Sequence, residues 1–99
     1  MDAVDESRPV ERRLVVTGRV QGVGYRWFAR ETARALGVAG WACNMPDGSV
    51  VLEIAGPAEI VARFTAELRL GPPAAHVAGV RVSARASADP LPERFTVVR

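Results

Sequence analysis

The sequence predicts an α+β domain in which an antiparallel sheet carries two helices on one face. Three observations predict it. Four or five short segments alternate apolar and polar residues, as strands do, and two segments repeat apolar residues every three or four positions, as helices do. Glycine- or proline-bearing turns separate these segments. Their order is β-α-β-β-α-β with a fifth strand at the end, and this order is typical of the ferredoxin-like sandwich.

The chain of 99 residues accommodates one hydrophobic core and therefore one domain. We expect residues 1–11 to form a flexible N-terminal tail and residues 12–99 to form the domain. No apolar run approaches the roughly 20 residues of a membrane span, and the start of the chain lacks the features of a secretory signal. We therefore expect a cytoplasmic protein that does not associate with membranes. We expect a monomer, because no long apolar stripe is left over once the sheet and helices are assigned.

The first half of the chain predicts a strand, a helix and a second strand. Alternation over residues 12–20 indicates the first strand, and a glycine-rich turn follows it. Apolar positions from Tyr25 to Leu36 then recur at helical spacing, and Gly37 is typical of a helix end. The second strand is predicted over residues 38–45.

The second half predicts a hairpin, a helix and two further strands. Asp47 and Gly48 form a dipeptide typical of hairpin turns, and Pro57 is expected in the first turn of the second helix. That helix is expected to end at Gly71. The remaining strands are predicted over residues 49–55, 77–85 and 95–98.

The predicted topology brings the glycine-rich turn close to Asn44. In a ferredoxin-like sheet the first two strands run parallel with the third between them, so their C-terminal ends meet at one edge. The turn follows the first strand, and Asn44 lies at the end of the second. Strands lie about 4.8 Å apart, so a gap of about 10 Å separates the two elements, which is room for a small anion and a water.

The turn itself has the features of an anion-binding loop. Glycines let successive N–H groups point into one concavity, and a helix N-terminus adds further N–H groups with a partial positive charge. Arg26, in the first helical turn, can hold phosphate oxygens in a bidentate manner. The spacing of Gly18, Gly22 and Gly24 matches neither common nucleotide-binding fingerprint. A tight strand-to-helix connection without a ligand is the alternative interpretation.

Two motifs in this order resemble the signatures of the acylphosphatase family. GRVQGVGYR at residues 18–26 resembles the first, and GWACN at residues 40–44, followed by DGSV, resembles the second. The resemblance extends over residues 12–99. It implies a hydrolase that converts small acyl phosphates to a carboxylate and inorganic phosphate, with no metal and no organic cofactor.

The resemblance also implies residue roles. Arg26 would bind the phosphate and Asn44 would orient the attacking water, as the catalytic residues. The backbone amides expected to complete the phosphate site belong to Gln21, Gly22, Val23, Gly24 and Tyr25. Cys43 departs from the family pattern, because a basic residue often precedes the asparagine.

Several other residues have a structural and a functional interpretation. One cysteine and one histidine exclude a disulfide and a zinc site built on these residues. We expect Cys43 to be a partly buried thiol rather than a nucleophile, and His76 to be a surface residue rather than a general acid. Asp47 is explained by the turn.

The remaining alternatives concern the aromatic residues and the arginines. Tyr25 and Trp41 are expected to pack in the core or at its rim, the alternative being contact with an aromatic substrate. Arg30 and Arg34 are expected on a solvated helix face, the alternative being a basic surface for an acidic partner.

Two other functions fit the same fold. One is a non-catalytic anion-binding or regulatory domain that kept the phosphate loop. The other is an RNA-recognition module, which stacks bases on aromatic residues of its first and third strands. Neither predicted strand contains an aromatic residue, and a net charge of +2 does not demand nucleic acid. We therefore expect no nucleic-acid partner.

Overall fold

The structure, a computed structural model, describes residues 7–99. It contains two helices and five strands in the predicted order. The elements are β1 Pro9–Arg19, α1 Tyr25–Leu36, β2 Ala39–Asn44, β3 Val50–Pro57, α2 Ala58–Leu70, β4 His76–Ala84 and β5 Thr96–Val98. No helix within these residues is long and apolar enough to cross a membrane.

The five strands form one sheet in the order β4-β1-β3-β2-β5. Strand β3 lies between β1 and β2 and is antiparallel to both, so β1 and β2 run parallel and end at the same edge, as predicted. The predicted antiparallel pairing is confirmed for four strands. Strand β5 instead pairs parallel with β2, which makes the sheet mixed. This direction follows from the preceding connection, which crosses one end of the sheet and starts β5 antiparallel to β4.

Strand β1 begins three residues earlier than predicted. Pro9, Val10 and Glu11, which the sequence assigned to the flexible tail, pair with Pro57, Gly56 and Ala55 of β3. Three residues that begin with a proline are too short a segment to show an alternating pattern, so this start of the strand leaves no signal in the sequence. A proline is tolerated at the first position of a strand. Residues 1–6 of the expected tail lie outside the described residues.

Both helices bury an apolar stripe against the same face of the sheet. Helix α1 buries Tyr25, Ala29 and Ala33, which confirms the helical spacing predicted from Tyr25 to Leu36, and α2 buries Val61, Phe64 and Leu68. The ring of Phe64 meets that of Phe95, just before β5, edge-on with centroids 6.0 Å apart. Helix α2 differs from the prediction in one detail: Pro57 is its N-cap, one residue before the first turn.

An ion-pair network covers part of the opposite face of the sheet. Glu53 of β3 accepts hydrogen bonds from Arg13 of β1 at 2.7 Å and from Arg85, just after β4, at 2.6 Å. The side chains of Arg85 and Glu53 are only 3% and 8% exposed. Burial raises the pKa of Glu53, but the hydrogen bonds and charges of Arg85 and Arg13 outweigh it, and the net pKa is lowered. The network ties three strands together.

Candidate active site

A cleft of about 460 Å³ lies between the N-terminal half of α1, the end of β2 and strand β5. Its lining includes Gly22, Gly24 and Arg26 from the loop and helix, and Asn44 from β2. The volume is within the range of roughly 300–1,000 Å³ typical of small-molecule sites. The structure therefore brings the two predicted catalytic residues to the same cleft as the glycine-rich loop.

The glycines of the loop are required by backbone conformation. Gly22 and Gly24 have φ angles of 74° and 78°, in the left-handed region. A Cβ atom added to either would meet nothing within 4 Å, so free space is not the reason for glycine. All non-glycine residues of the described chain have negative φ. Left-handed residues alternating with right-handed ones make successive N–H groups converge, and such a concavity binds anions.

Gly18 belongs to the strand and not to the anion-binding loop. It lies in β1, where the register with β4 shifts between Thr17 and Gly18. Its φ is 117°, and an added Cβ would collide with the carbonyl oxygen of His76. The first motif therefore combines two structural demands: a bulge at Gly18 and an anion-binding loop that starts after Arg19.

The N-terminus of α1 faces the cleft and lacks a side-chain cap. Gly24 is the N-cap, no side chain caps the helix, and the first turn contains no acidic residue. The first intrahelical hydrogen bond runs from Phe28 N to Gly24 O, at 2.9 Å. Helix geometry leaves the preceding N–H groups without an intrahelical partner, and the helix dipole adds a partial positive charge. This end of the helix can bind an anion.

Strand β5 holds two arginines of α1 at the cleft. Arg26 donates from Nη1 to the carbonyl oxygen of Val98 at 3.1 Å. Arg34 donates from Nε and Nη2 to that of Phe95, at 3.1 and 2.9 Å. One such bond leaves four of the five N–H donors of Arg26 for a ligand. The expectation that Arg34 lies on a solvated face missed this contact, since β5 was too short for its position to be inferred.

Asn44 has a buried acceptor without a partner. Its Oδ1 atom is buried and accepts no hydrogen bond from any described residue. Leaving such an atom unsatisfied costs about 1–3 kcal/mol, so buried acceptors of this kind usually bind a water or a ligand. The end of β2 thus places a group suited to water binding in the cleft.

The side chain of Gln21 links the loop to the hairpin that follows Asn44. Its Nε2 donates to the carbonyl oxygens of Met45 and Ser49, at 2.8 and 2.9 Å. The hairpin is itself closed by Asp47, whose carboxylate accepts from the Ser49 hydroxyl and backbone N–H. These bonds lower the pKa of Asp47, which confirms its turn role. The sequence drew attention to the Gln21 backbone only, because side-chain partners 24 and 28 residues away leave no local signal.

The other residues considered from the sequence lie mostly elsewhere. Tyr25 is 1% exposed, and its hydroxyl donates to Leu68 O at 2.8 Å, so it packs in the core, and burial raises its pKa. His76 is exposed on β4. Cys43 is half-buried, and neither it nor Trp41 lines the cleft. Trp27, which the sequence analysis did not single out, does line it and is 61% exposed.

Comparisons with known proteins agree with this fold. The sequence model of the acylphosphatase family matches residues 12–97. An acylphosphatase of Azoarcus sp. strain BH72 is 45% identical over 84 residues, covering 85% of this chain and 86% of the relative. One of Nitrobacter hamburgensis is 52% identical over 71 residues, 72% of each chain. The crystal structure of the Bacillus subtilis acylphosphatase superposes with a TM-score of 0.84 at 33% identity, covering 93% of this chain and 100% of that one. The predicted resemblance is confirmed, and the chain belongs to the acylphosphatase family.

Proposed function

We propose that this acylphosphatase cleaves acyl phosphates in the cleft between α1 and β2, with Arg26 and the loop amides binding the phosphate and Asn44 orienting the water. The observation that carries this assignment is the buried, unpartnered Oδ1 of Asn44 in the same cleft as Arg26 and the uncapped end of α1. An acceptor for water and a set of donors for phosphate are the two groups that the reaction needs.

The phosphate group fits the donors of the loop. We assign the phosphate oxygens to the backbone N–H groups of Gln21, Gly22, Val23, Gly24 and Tyr25, of which Gly22, Gly24 and Tyr25 line the cleft, and Arg26 adds a charged, planar fork. Phosphoryl transfer spreads charge over the three equatorial oxygens, and fixed donors around them stabilise the transition state. Val98 fixes the guanidinium through Nη1, so little reorganisation is needed when the substrate binds.

The water is assigned to Asn44. Oδ1 accepts one hydrogen bond from the water, which turns a lone pair of the water oxygen towards phosphorus. The new bond joins that oxygen to phosphorus, and the bond between phosphorus and the acyl oxygen breaks. An amide is not a base at neutral pH, so the proton of the water passes to a phosphate oxygen of the substrate.

The leaving group explains why so few residues suffice. A carboxylate leaves without protonation, so no general acid is required, and positioning with charge stabilisation supplies most of the rate. In agreement, none of the described residues that line the cleft is acidic. Turnover uses no metal or organic cofactor in this mechanism.

The proposal extends to the state of the protein. We assign catalysis to a monomer in the cytoplasm, working on a small-molecule substrate, with residues 12–99 as the functional unit. Arg26, Asn44 and the loop line one cleft of a single chain, so the proposed mechanism needs no residue from a second chain.

The test is hydrolysis of benzoyl phosphate in EDTA by the parent and by three variants. We expect Arg26→Gln to abolish turnover and weaken inhibition by inorganic phosphate, and Asn44→Ala to lower kcat by about 10²–10³-fold, as for loss of one oriented catalytic group. Arg63→Gln on α2 removes the same charge outside the cleft and should match the parent. A folded parent that binds phosphate without turnover would instead indicate a non-catalytic anion-binding domain.

A further inference from the structure

Helix α1 carries a row of three arginines along the cleft. Arg26, Arg30 and Arg34 are four residues apart and all line it. Residues at this spacing lie on one face of a helix, with about 6 Å of rise between successive members. The phosphate site accounts for Arg26 only, so the row extends the positive charge well beyond the phosphate.

The cleft has a direction that can be read from its contacts. Arg26 binds Val98 and Arg34 binds Phe95, so α1 runs antiparallel to β5 along the cleft. Val98 in turn pairs with Cys43, beside Asn44. The water site therefore lies at the Arg26 end, and the cleft continues from there towards Arg30 and Arg34. In-line attack places the leaving acyl group on the side of the phosphate opposite the water, and an acyl chain that follows the cleft from there reaches Trp27 and Arg30.

Of the two further arginines, Arg30 has the donors to meet an acyl group. Arg34 already gives Nε and Nη2 to the carbonyl of Phe95. Arg30 uses only Nε, in an ion pair with Glu31 at 3.1 Å, and both Nη atoms lack a hydrogen bond to any described residue. Glu31 does not line the cleft, and its exposed pair with Arg30 occupies Nε only, so the two Nη atoms are left for a ligand.

Trp27 orients Arg30. The guanidinium carbon lies 6.0 Å from the centroid of the Trp27 ring, at the limit of a cation–π contact. Trp27 is exposed and lines the same cleft, so a substrate chain that leaves the phosphate site passes an aromatic surface next to a planar cation. Such a fork binds a carboxylate in a bidentate manner, as it does a phosphate.

We propose that Arg30 and Trp27 form a second subsite, which favours acyl phosphates whose acyl group carries its own terminal carboxylate. The proposal rests on the function proposed above, since it needs the phosphate bound at Arg26. Arg30 is then a specificity-determining residue: it contributes to substrates with a second anion and not to the bond that breaks.

Two substrates of equal chain length isolate this contribution. Succinyl phosphate ends in a carboxylate where butyryl phosphate ends in a methyl group. We expect Arg30→Gln to lower kcat/KM for succinyl phosphate about tenfold, the effect of one charge-assisted pair, while kcat/KM for butyryl phosphate stays within about twofold. Arg30→Lys, which keeps the charge but not the fork, should retain part of the preference. Arg63→Gln is the matched control and should change neither substrate.

The outcomes separate this proposal from the one on which it rests. Failure of the parent to hydrolyse either substrate would overturn the proposed function. If the parent hydrolyses butyryl phosphate normally, and Arg30→Gln changes kcat/KM equally for both substrates or for neither, the subsite alone is overturned. If circular dichroism shows that Arg30→Gln does not fold, Arg30→Lys is used instead, and its kcat/KM for succinyl phosphate is divided by its kcat/KM for butyryl phosphate. A ratio equal to that of the parent would count against bidentate binding.

Discussion

Replacing Gln21 tests whether the two halves of the site depend on one side chain. Gln21→Leu keeps the approximate size but removes both hydrogen bonds, to Met45 O and to Ser49 O. One hydrogen bond makes a net contribution of about 0.5–1.5 kcal/mol to the free energy of unfolding, so loss of both would lower it by about 1–3 kcal/mol. Both carbonyls keep a backbone partner, from Gly48 N and Met45 N respectively. We therefore expect a loss of about 1–2 kcal/mol in the free energy of unfolding.

The effect on catalysis should exceed the effect on folding. Gln21 belongs to the anion-binding loop, and its two acceptors flank the hairpin turn that follows Asn44. Without it, the elements to which we assign the phosphate and the water can move relative to each other. A misplacement of about 1 Å can reduce a rate by about 10²-fold. We expect kcat for benzoyl phosphate to fall about 10–100-fold, with a smaller change in KM.

Urea unfolding gives the free energy of unfolding, and steady-state kinetics on the same samples give kcat and KM. Thr65→Val is the matched control, since Thr65 donates one hydrogen bond to Val61 O within α2, outside the cleft. It should lower stability slightly and leave kcat unchanged. Gln21→Glu places a carboxylate against two carbonyl oxygens and should be worse than Gln21→Leu at neutral pH. A normal kcat in Gln21→Leu, together with the expected loss of stability, would refute the positioning argument.

Three further predictions concern stability and chemistry. Glu53→Gln should lower the melting temperature by about 4–8 °C near neutral pH. Because the pKa of Glu53 is lowered in the folded protein, its contribution to stability is present above the unfolded pKa of about 4.3 and is lost as the pH falls through the folded pKa. The melting temperatures of parent and variant should therefore converge in acid, and a difference that persists there would contradict the prediction. Gly22→Ala should lower the free energy of unfolding by about 1–2 kcal/mol and weaken inhibition by phosphate. Gly18→Ala should disrupt the pairing of β1 with β4, and circular dichroism should show that it does not fold. Cys43→Ser should keep its activity towards benzoyl phosphate, and an inactive but folded variant would make the thiol a nucleophile after all.

The sequence predicted what is local or repeated along the chain. Alternation and helical spacing gave the elements, and their order gave the sheet topology that places Asn44 near the loop. The glycine pattern predicted the loop, because left-handed conformations strongly favour glycine. These features depend on neighbouring residues or on a small set of allowed topologies, so one sequence is enough to infer them.

What the sequence did not reveal depends on side chains that meet across the sheet. The bonds from Gln21 to the hairpin, from Arg34 to Phe95 and from Arg85 to Glu53 all join distant parts of the chain. A polar side chain carries no periodic signal that names its partner. The parallel direction of β5 was hidden for a similar reason, since a strand of three residues is too short to show how it pairs. Trp27 was overlooked because aromatic residues on helices are usually explained by packing.

The bond from Arg26 to Val98 also has a consequence for how the enzyme becomes active. The two residues are 72 positions apart, and the carbonyl belongs to the last strand of the sheet. The entropy of closing so large a loop is lost before such a contact can stabilise the chain. The guanidinium thus reaches its working orientation only when β5 has joined the sheet. Phosphate bound at that guanidinium would in turn favour the closed sheet, so phosphate should slow unfolding that begins with release of β5.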